Sequence, residues 1–127
     1  MPNRLNLYLG VGIGGVIGAL GRYAISILFE SDSYFPFGTL VANLLGCLLL
    51  GFLLNSPLIK NNVSNIVFIG LTTGLIGAFT TFSTFALETV HLAYHHLFLA
   101  FVYVGISVLG GIFLSFLGFR LANKRQA

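Results

Sequence analysis

The chain has 127 residues, of which 57% are hydrophobic and 7% charged, with a formal net charge of +3. No soluble core of this size could hide so much apolar surface, so the composition is that of an integral membrane protein. No basic patch with interleaved aromatics is present, which excludes a nucleic-acid partner. The length fits one all-α domain, residues 1–127, of four short spans. Four helices leave little interior for a route through a bilayer, so a pore or carrier would need an oligomer.

The first span is expected over residues 5–29, with Gly10, Gly14 and Gly18 four apart. That ladder of small residues lets another helix approach closely. Arg22 is costly so far along a membrane helix unless it snorkels or is paired. Two readings stand: snorkelling toward the end near Glu30, or an electropositive lure or structural anchor at a pore mouth. A polar link follows, punctuated by Pro36 and Gly38.

The second span covers residues 37–54 and contains one strongly polar side chain, Asn43, four residues from Thr39 and on the same helical face. A buried Asn can glue helices together, or its two amide N–H donors can face an anion. Cys47, the single cysteine, reads as a small apolar residue in a packed helix. Residues 55–65 form the second link.

The third span, residues 66–94, holds the most unusual stretch of the chain, Gly74-Leu-Ile-Gly-Ala-Phe-Thr-Thr-Phe-Ser-Thr-Phe85. Glycines followed by hydroxyl residues weaken a helix, since Ser and Thr side chains compete for backbone partners. Freed backbone groups at membrane depth are tolerated only where protein or a water-filled cavity satisfies them. Such interrupted helices mark ion and substrate sites. The helix is therefore expected to break near residues 77–81, with Thr80 or Thr81 capping the half that restarts. Phe82 and Phe85 share a face of that half, and their ring edges carry positive character suited to a small anion. Glu88 follows on the same side and either sits in a vestibule or pairs with Arg22. His91 and His95 have the i, i+4 spacing of a metal pair, but no Cys or further carboxylate joins them. His91, His95 and His96 read as an interfacial link.

The fourth span covers residues 97–119, where Tyr103, Ser107, Gly111 and Ser115 form a polar or small stripe. The tail from Arg120 adds Lys124 and Arg125 as flanking charges. No internal repeat, nucleophile–base pair, phosphate loop or metal-ligand cluster is visible, so the chain is not expected to be an enzyme.

Three stretches in order, Gly14-Gly-Val-Ile-Gly-Ala-Leu-Gly-Arg-Tyr23, Pro36-Phe-Gly-Thr-Leu-Val-Ala-Asn-Leu-Leu-Gly46 and Gly77-Ala-Phe-Thr-Thr-Phe-Ser-Thr-Phe85, together resemble the Fluc (CrcB-like) fluoride channels. The resemblance implies an antiparallel, dual-topology dimer with two fluoride pores along the subunit boundaries, in a bacterial inner or plasma membrane. It implies a central structural sodium ion held by the backbone carbonyls of Gly77 and Thr80. It also implies that Asn43 donates to fluoride, that Phe82 and Phe85 present ring edges, and that Arg22 lies near the entrance. Tyr103 and Ser107 would be polar lining residues. The hydroxyls of Thr39, Thr81 and Ser83, with Glu88, complete the candidate fluoride pathway. Ala78 departs from the family, whose members commonly carry a second glycine there.

The donor-and-aromatic set, with no carboxylate in the first two spans, favours a passive fluoride channel that exports cytoplasmic fluoride. A small proton-coupled multidrug exporter would need a buried exchanging carboxylate, and only Glu88 could serve. In a third reading the polar residues merely join helices in an assembly subunit. Arg4, Lys60, Arg120, Lys124 and Arg125 fall on one side of the four-span topology. The positive-inside rule then favours a single orientation with both termini cytoplasmic. An antiparallel homodimer needs both orientations, so the partner is either a second copy of the chain or an oppositely biased homologue.

Overall fold

A computed structural model describes residues 3–124; Arg125, counted above among the tail charges, lies outside the described residues. Helix α1 (Arg4–Leu28) starts where the Asn3 side chain accepts the Leu5 N–H at 3.2 Å, satisfying one of the donors a helix start leaves free. Helix α2 (Phe37–Asn55) is followed by a short α3 (Pro57–Asn62). A composite third stretch comprises α4 (Asn65–Ile69), a π-helical segment (Gly70–Leu75), α5 (Ile76–Phe79) and α6 (Phe82–His95). Helix α7 (Leu97–Lys124) completes the described chain. Four of these stretches, including Asn65–His95 taken as one, are long and apolar enough to cross a membrane.

Two boundaries differ from the sequence reading. Residues 55–65, expected to be only a link, contain α3, because Pro57 stands at its first turn and Lys60 lies in its last. The helix of the fourth span, expected over residues 97–119, continues beyond residue 119. It stays helical through Lys124, since Arg, Leu, Ala and Lys are all strong helix formers and the basic side chains can extend toward water.

Along the third stretch, the π-helical segment lies against α1. Its widened turn still closes backbone bonds, the Ile76 N–H reaching the Leu71 carbonyl. Thr80 and Thr81 then take extended backbone angles (ψ of 158° and 127°), and α6 begins at Phe82. The cap of α6 is Thr81, whose Oγ1 accepts the Thr84 N–H at 3.2 Å. Thr80 instead donates its hydroxyl back to the Ile76 carbonyl at 2.9 Å and so closes the preceding helix.

The spans pack in two pairs. Helix α1 lies on the first half of the third stretch, α2 lies on α7, and α6 packs on α7. Small residues make both pairs possible. A Cβ added at Gly14 would run into the Gly70 carbonyl, and one at Gly18 into the Leu75 carbonyl. On the other pair, Gly51 faces the Ser115 carbonyl and Gly118 the Leu48 carbonyl in the same way. Within lipid no hydrophobic force draws helices together, so this backbone-to-backbone fit supplies the dispersion contacts that hold them. Leu40, Leu92, Ala100 and Tyr103 form a buried cluster where α2, α6 and α7 meet, with Phe35, Leu44, Phe85 and Leu99 packed around it. Most other large apolar side chains, from Leu9 and Ile13 on α1 to Phe113 and Phe116 on α7, are exposed.

The close approach predicts a sharp contrast between two glycines of α1. Overpacking typically costs about 1–3 kcal/mol, which outweighs the gain of up to about 1 kcal/mol in helix propensity from Gly to Ala. Gly18→Ala is therefore expected to lower the thermal unfolding midpoint in detergent. Gly12→Ala, where an added Cβ meets nothing within 4 Å, is expected to leave it unchanged or raise it slightly. Equal midpoints for the two variants would contradict the packing account.

Candidate functional site

The site is organised by one side chain reaching across from α2. Asn43 donates its Nδ2 to the Thr81 carbonyl at 2.9 Å, and its Oδ1 accepts the Thr81 N–H at 2.8 Å. The amide thus stands in for a peptide group and satisfies the backbone at the point where the helix ladder stops. One Nδ2 hydrogen is left over, because Asn carries two N–H donors. Nearby, Gly46 leaves the space that the Thr80 methyl group enters, which seats the end of α5 on α2.

Two cavities meet at Thr81. The first, of about 400 Å³, is lined by Asn43, Thr80, Thr81, Phe82, Phe85 and Ser107 among others. The second, of about 310 Å³, is lined by Arg22, Tyr23, Ser26, Thr39, Thr81, Thr84 and Glu88. Thr81 is held from all sides: besides its two bonds to Asn43, its hydroxyl donates to Thr84 Oγ1 at 3.1 Å and lies 3.3 Å from Ser83 Oγ. The start of α6, with its partial positive charge, lies at this junction.

In the first cavity, Ser107 Oγ is buried and has no hydrogen-bond partner, alone among buried side-chain polar atoms of the described residues. An orphaned hydroxyl of that kind costs about 1–3 kcal/mol unless something else supplies a partner. Phe82 is 78% exposed, while Phe85 is half-buried, and their ring centres are 5.9 Å apart at 45°. The Phe85 ring also packs 5.2 Å from Tyr103.

In the second cavity, Glu88 takes its partners from hydroxyls. Thr39 Oγ1 donates to Glu88 Oε1 and the Tyr103 hydroxyl to Oε2, both at 2.8 Å. Arg22 lines the same cavity, so the structure places Glu88 in a shared chamber with Arg22 but gives its two oxygens to Thr39 and Tyr103. Tyr103 is fully buried and lines neither cavity; its ring sits between Phe85 and Phe35. Ser83 is exposed and reaches the site only through Thr81. Asn43, Thr81, Phe82, Phe85 and Ser107 come together around the first cavity, and Arg22, Thr39, Thr81 and Glu88 around the second. The sequence reading missed Thr84, which lines the second cavity and receives the Thr81 hydroxyl. Its position three residues after the cap was the available signal, since the cap bonds there.

Backbone groups are also freed here. The Thr81 N–H goes to Asn43 instead of the Gly77 carbonyl, and the Thr84 N–H goes to Thr81 Oγ1 instead of the Thr80 carbonyl. Both carbonyls thereby lose their helical donors. Gly77 is exposed, and a Cβ added there would meet nothing within 4 Å.

Comparison with known proteins places these features in a family. Residues 9–119 match the model of the family described as "CrcB-like protein, Camphor Resistance (CrcB)". A protein of Bacillus thuringiensis subsp. konkukian (strain 97-27) named "Fluoride-specific ion channel FluC 1" is 43% identical over 120 residues, covering 92% of this chain and 88% of its own. A FluC 1 of Desulfitobacterium hafniense (strain Y51) is 45% identical over 112 residues, covering 87% of this chain and 98% of its own. A "Fluoride-specific ion channel FluC 2" of Staphylococcus haemolyticus (strain JCSC1435) is 44% identical over 126 residues, covering 92% and 97%. With a family model spanning most of its length and four helices fit to cross a membrane, the chain belongs to the CrcB-like family of multi-pass bacterial membrane proteins.

Proposed function

We propose that this protein is a passive, fluoride-selective channel that lets cytoplasmic fluoride leave the cell. The observation that carries the reading is the first cavity, where the unpartnered Ser107 hydroxyl, the spare Asn43 N–H and the Phe82 and Phe85 rings converge. Fluoride is small and strongly hydrated, so a conducting path must replace its water with several donors while binding weakly enough to release it. Ser107 and Asn43 supply neutral donors, the phenylalanine edges supply positive character without a proton, and the start of α6 adds its dipole. A fixed cation at the centre would trap the ion. Arg22 lies instead in the adjoining chamber, where it raises the local anion concentration.

Thr81 links the two chambers, so the route runs from Arg22, Thr39 and Glu88 past Thr81 to Asn43, Phe82, Phe85 and Ser107. Thr39 and Tyr103 each have a single hydroxyl proton, and each gives it to Glu88. An anion passing them would compete with the carboxylate for those protons. Ser83 contributes by holding the Thr81 hydroxyl.

The working unit in this reading is an antiparallel, dual-topology dimer with two pores. Phe82 is exposed on the single chain and the first cavity opens beside it, so a second subunit is needed to close the route. A structural sodium ion would be held by the carbonyls of Gly77 and Thr80. Those groups fit a hard cation, being oxygens that have lost their helical donors beside an unobstructed Gly77. Such an ion would give the freed carbonyl oxygens a partner and join the subunits; Ala78 sits next to them. The partner is either a second copy or, given Arg4, Lys60, Arg120, Lys124 and Arg125 on one side, an oppositely biased homologue.

Fluoride efflux from liposomes holding this chain alone, driven by a potassium gradient with valinomycin, tests the function. Fast fluoride release without chloride release is expected, with release abolished by Phe82→Ile. Removing a hydrogen bond to a charged partner costs about 1.5–3 kcal/mol, so Ser107→Ala is expected to slow release by roughly one to two orders of magnitude. No release from this chain, even with a co-expressed homologue, would overturn the reading. Release only with the homologue would overturn the homodimer alone.

Sodium is tested separately. Exchange into N-methylglucamine buffer free of sodium is expected to lower the unfolding midpoint in detergent, and added Na⁺ to restore it. A midpoint independent of sodium would remove the ion from the account.

A further inference from the structure

At the far end of α6, away from Asn43, three histidines and a tyrosine gather at the α6–α7 connection. His91 and His95 lie one helical turn apart, both exposed, with ring centres 4.7 Å apart and planes inclined at 50°. They are not stacked. Two imidazoles that each give one nitrogen to a tetrahedral metal at roughly 2.1 Å have ring centres about 5 Å apart. The observed ring separation is close to that distance. His95 is braced by the Tyr34 ring, stacked 6.0 Å away at 27°, which limits the orientations the imidazole must give up on binding. His96 instead meets the same Tyr34 ring in a T-shaped arrangement, with centres 4.9 Å apart.

We propose that His91 and His95 form a surface binding site for one divalent transition metal of the zinc, nickel or copper class. Imidazole nitrogen suits these metals, whereas calcium and magnesium demand oxygen ligands. Among the described residues no group of three or more His, Cys, Asp and Glu side chains converges, so water completes the coordination. That makes the site open and exchangeable, unlike a closed structural zinc centre. The site uses no residue of the proposed ion route.

Isothermal titration of tag-free, full-length protein in detergent with NiCl₂ tests the site directly. One Ni²⁺ per chain is expected. His91→Ala and His95→Ala should each weaken binding at least about tenfold, whereas His96→Ala should leave it unchanged. Fluoride release from liposomes and elution volume on size exclusion report whether each variant is intact. Electron paramagnetic resonance of the Cu²⁺-loaded protein gives a second reading, with two nitrogen ligands expected and fewer in either single variant. Absence of binding, binding that survives His91→Ala or His95→Ala, or equal loss in His96→Ala would overturn the proposal.

Discussion

The rest of the structure depends on a side chain behaving as backbone. Inside a bilayer every N–H and C=O must find a partner within the protein, and an unsatisfied group costs several kcal/mol. A helix can stop there only if something replaces its ladder. Asn43 does so for Thr81, donating to its carbonyl and accepting from its N–H, while the Thr81 hydroxyl caps α6. Each bond has a net value of only about 1 kcal/mol. The larger quantity is the penalty avoided, which is why a single amide can hold open a stretch that would otherwise close into continuous helix.

Interrupting the third stretch lets its two halves answer to different neighbours. The first half follows α1, backbone against backbone at Gly14, Gly18, Gly70 and Gly74. The second half follows α7 and buries Leu92 against Leu40, Ala100 and Tyr103. One straight helix could not satisfy both. A cavity opens beside the break, lined by Asn43 of α2, Phe82 and Phe85 of α6 and the unpartnered Ser107 hydroxyl of α7. In the proposed channel, local backbone chemistry and anion chemistry would be two uses of the same residues.

Much of this was legible in the chain itself. Span positions follow from bilayer thickness, which demands about 20 apolar residues per helix, and four such stretches stand at the places hydropathy indicates. Thr81 was one of two candidate caps, and Asn43 was conspicuous as a lone amide in an apolar run. Other features depend on tertiary approach and had no local signal. The π-helical segment Gly70–Leu75 is too short for its wider i→i+5 turn to show in the hydropathy pattern, and it lies against α1. Glu88 has Arg22 as its obvious ionic partner on paper, yet takes hydroxyls from Thr39 and Tyr103, because the fold brings those residues closer. The helical continuation to Lys124 was hidden by charges that mark the end of a span without marking the end of a helix.

Fluoride release from liposomes by Asn43→Asp is the most direct test of the account, because both duties assigned to this residue use its amide N–H groups. Aspartate keeps an oxygen for the Thr81 N–H but loses both N–H donors. The account predicts a protein that releases no fluoride and unfolds at a lower midpoint, since the Thr81 carbonyl loses its donor. Release at the wild-type rate from that variant would contradict it, showing that the ion route does without the amide donors.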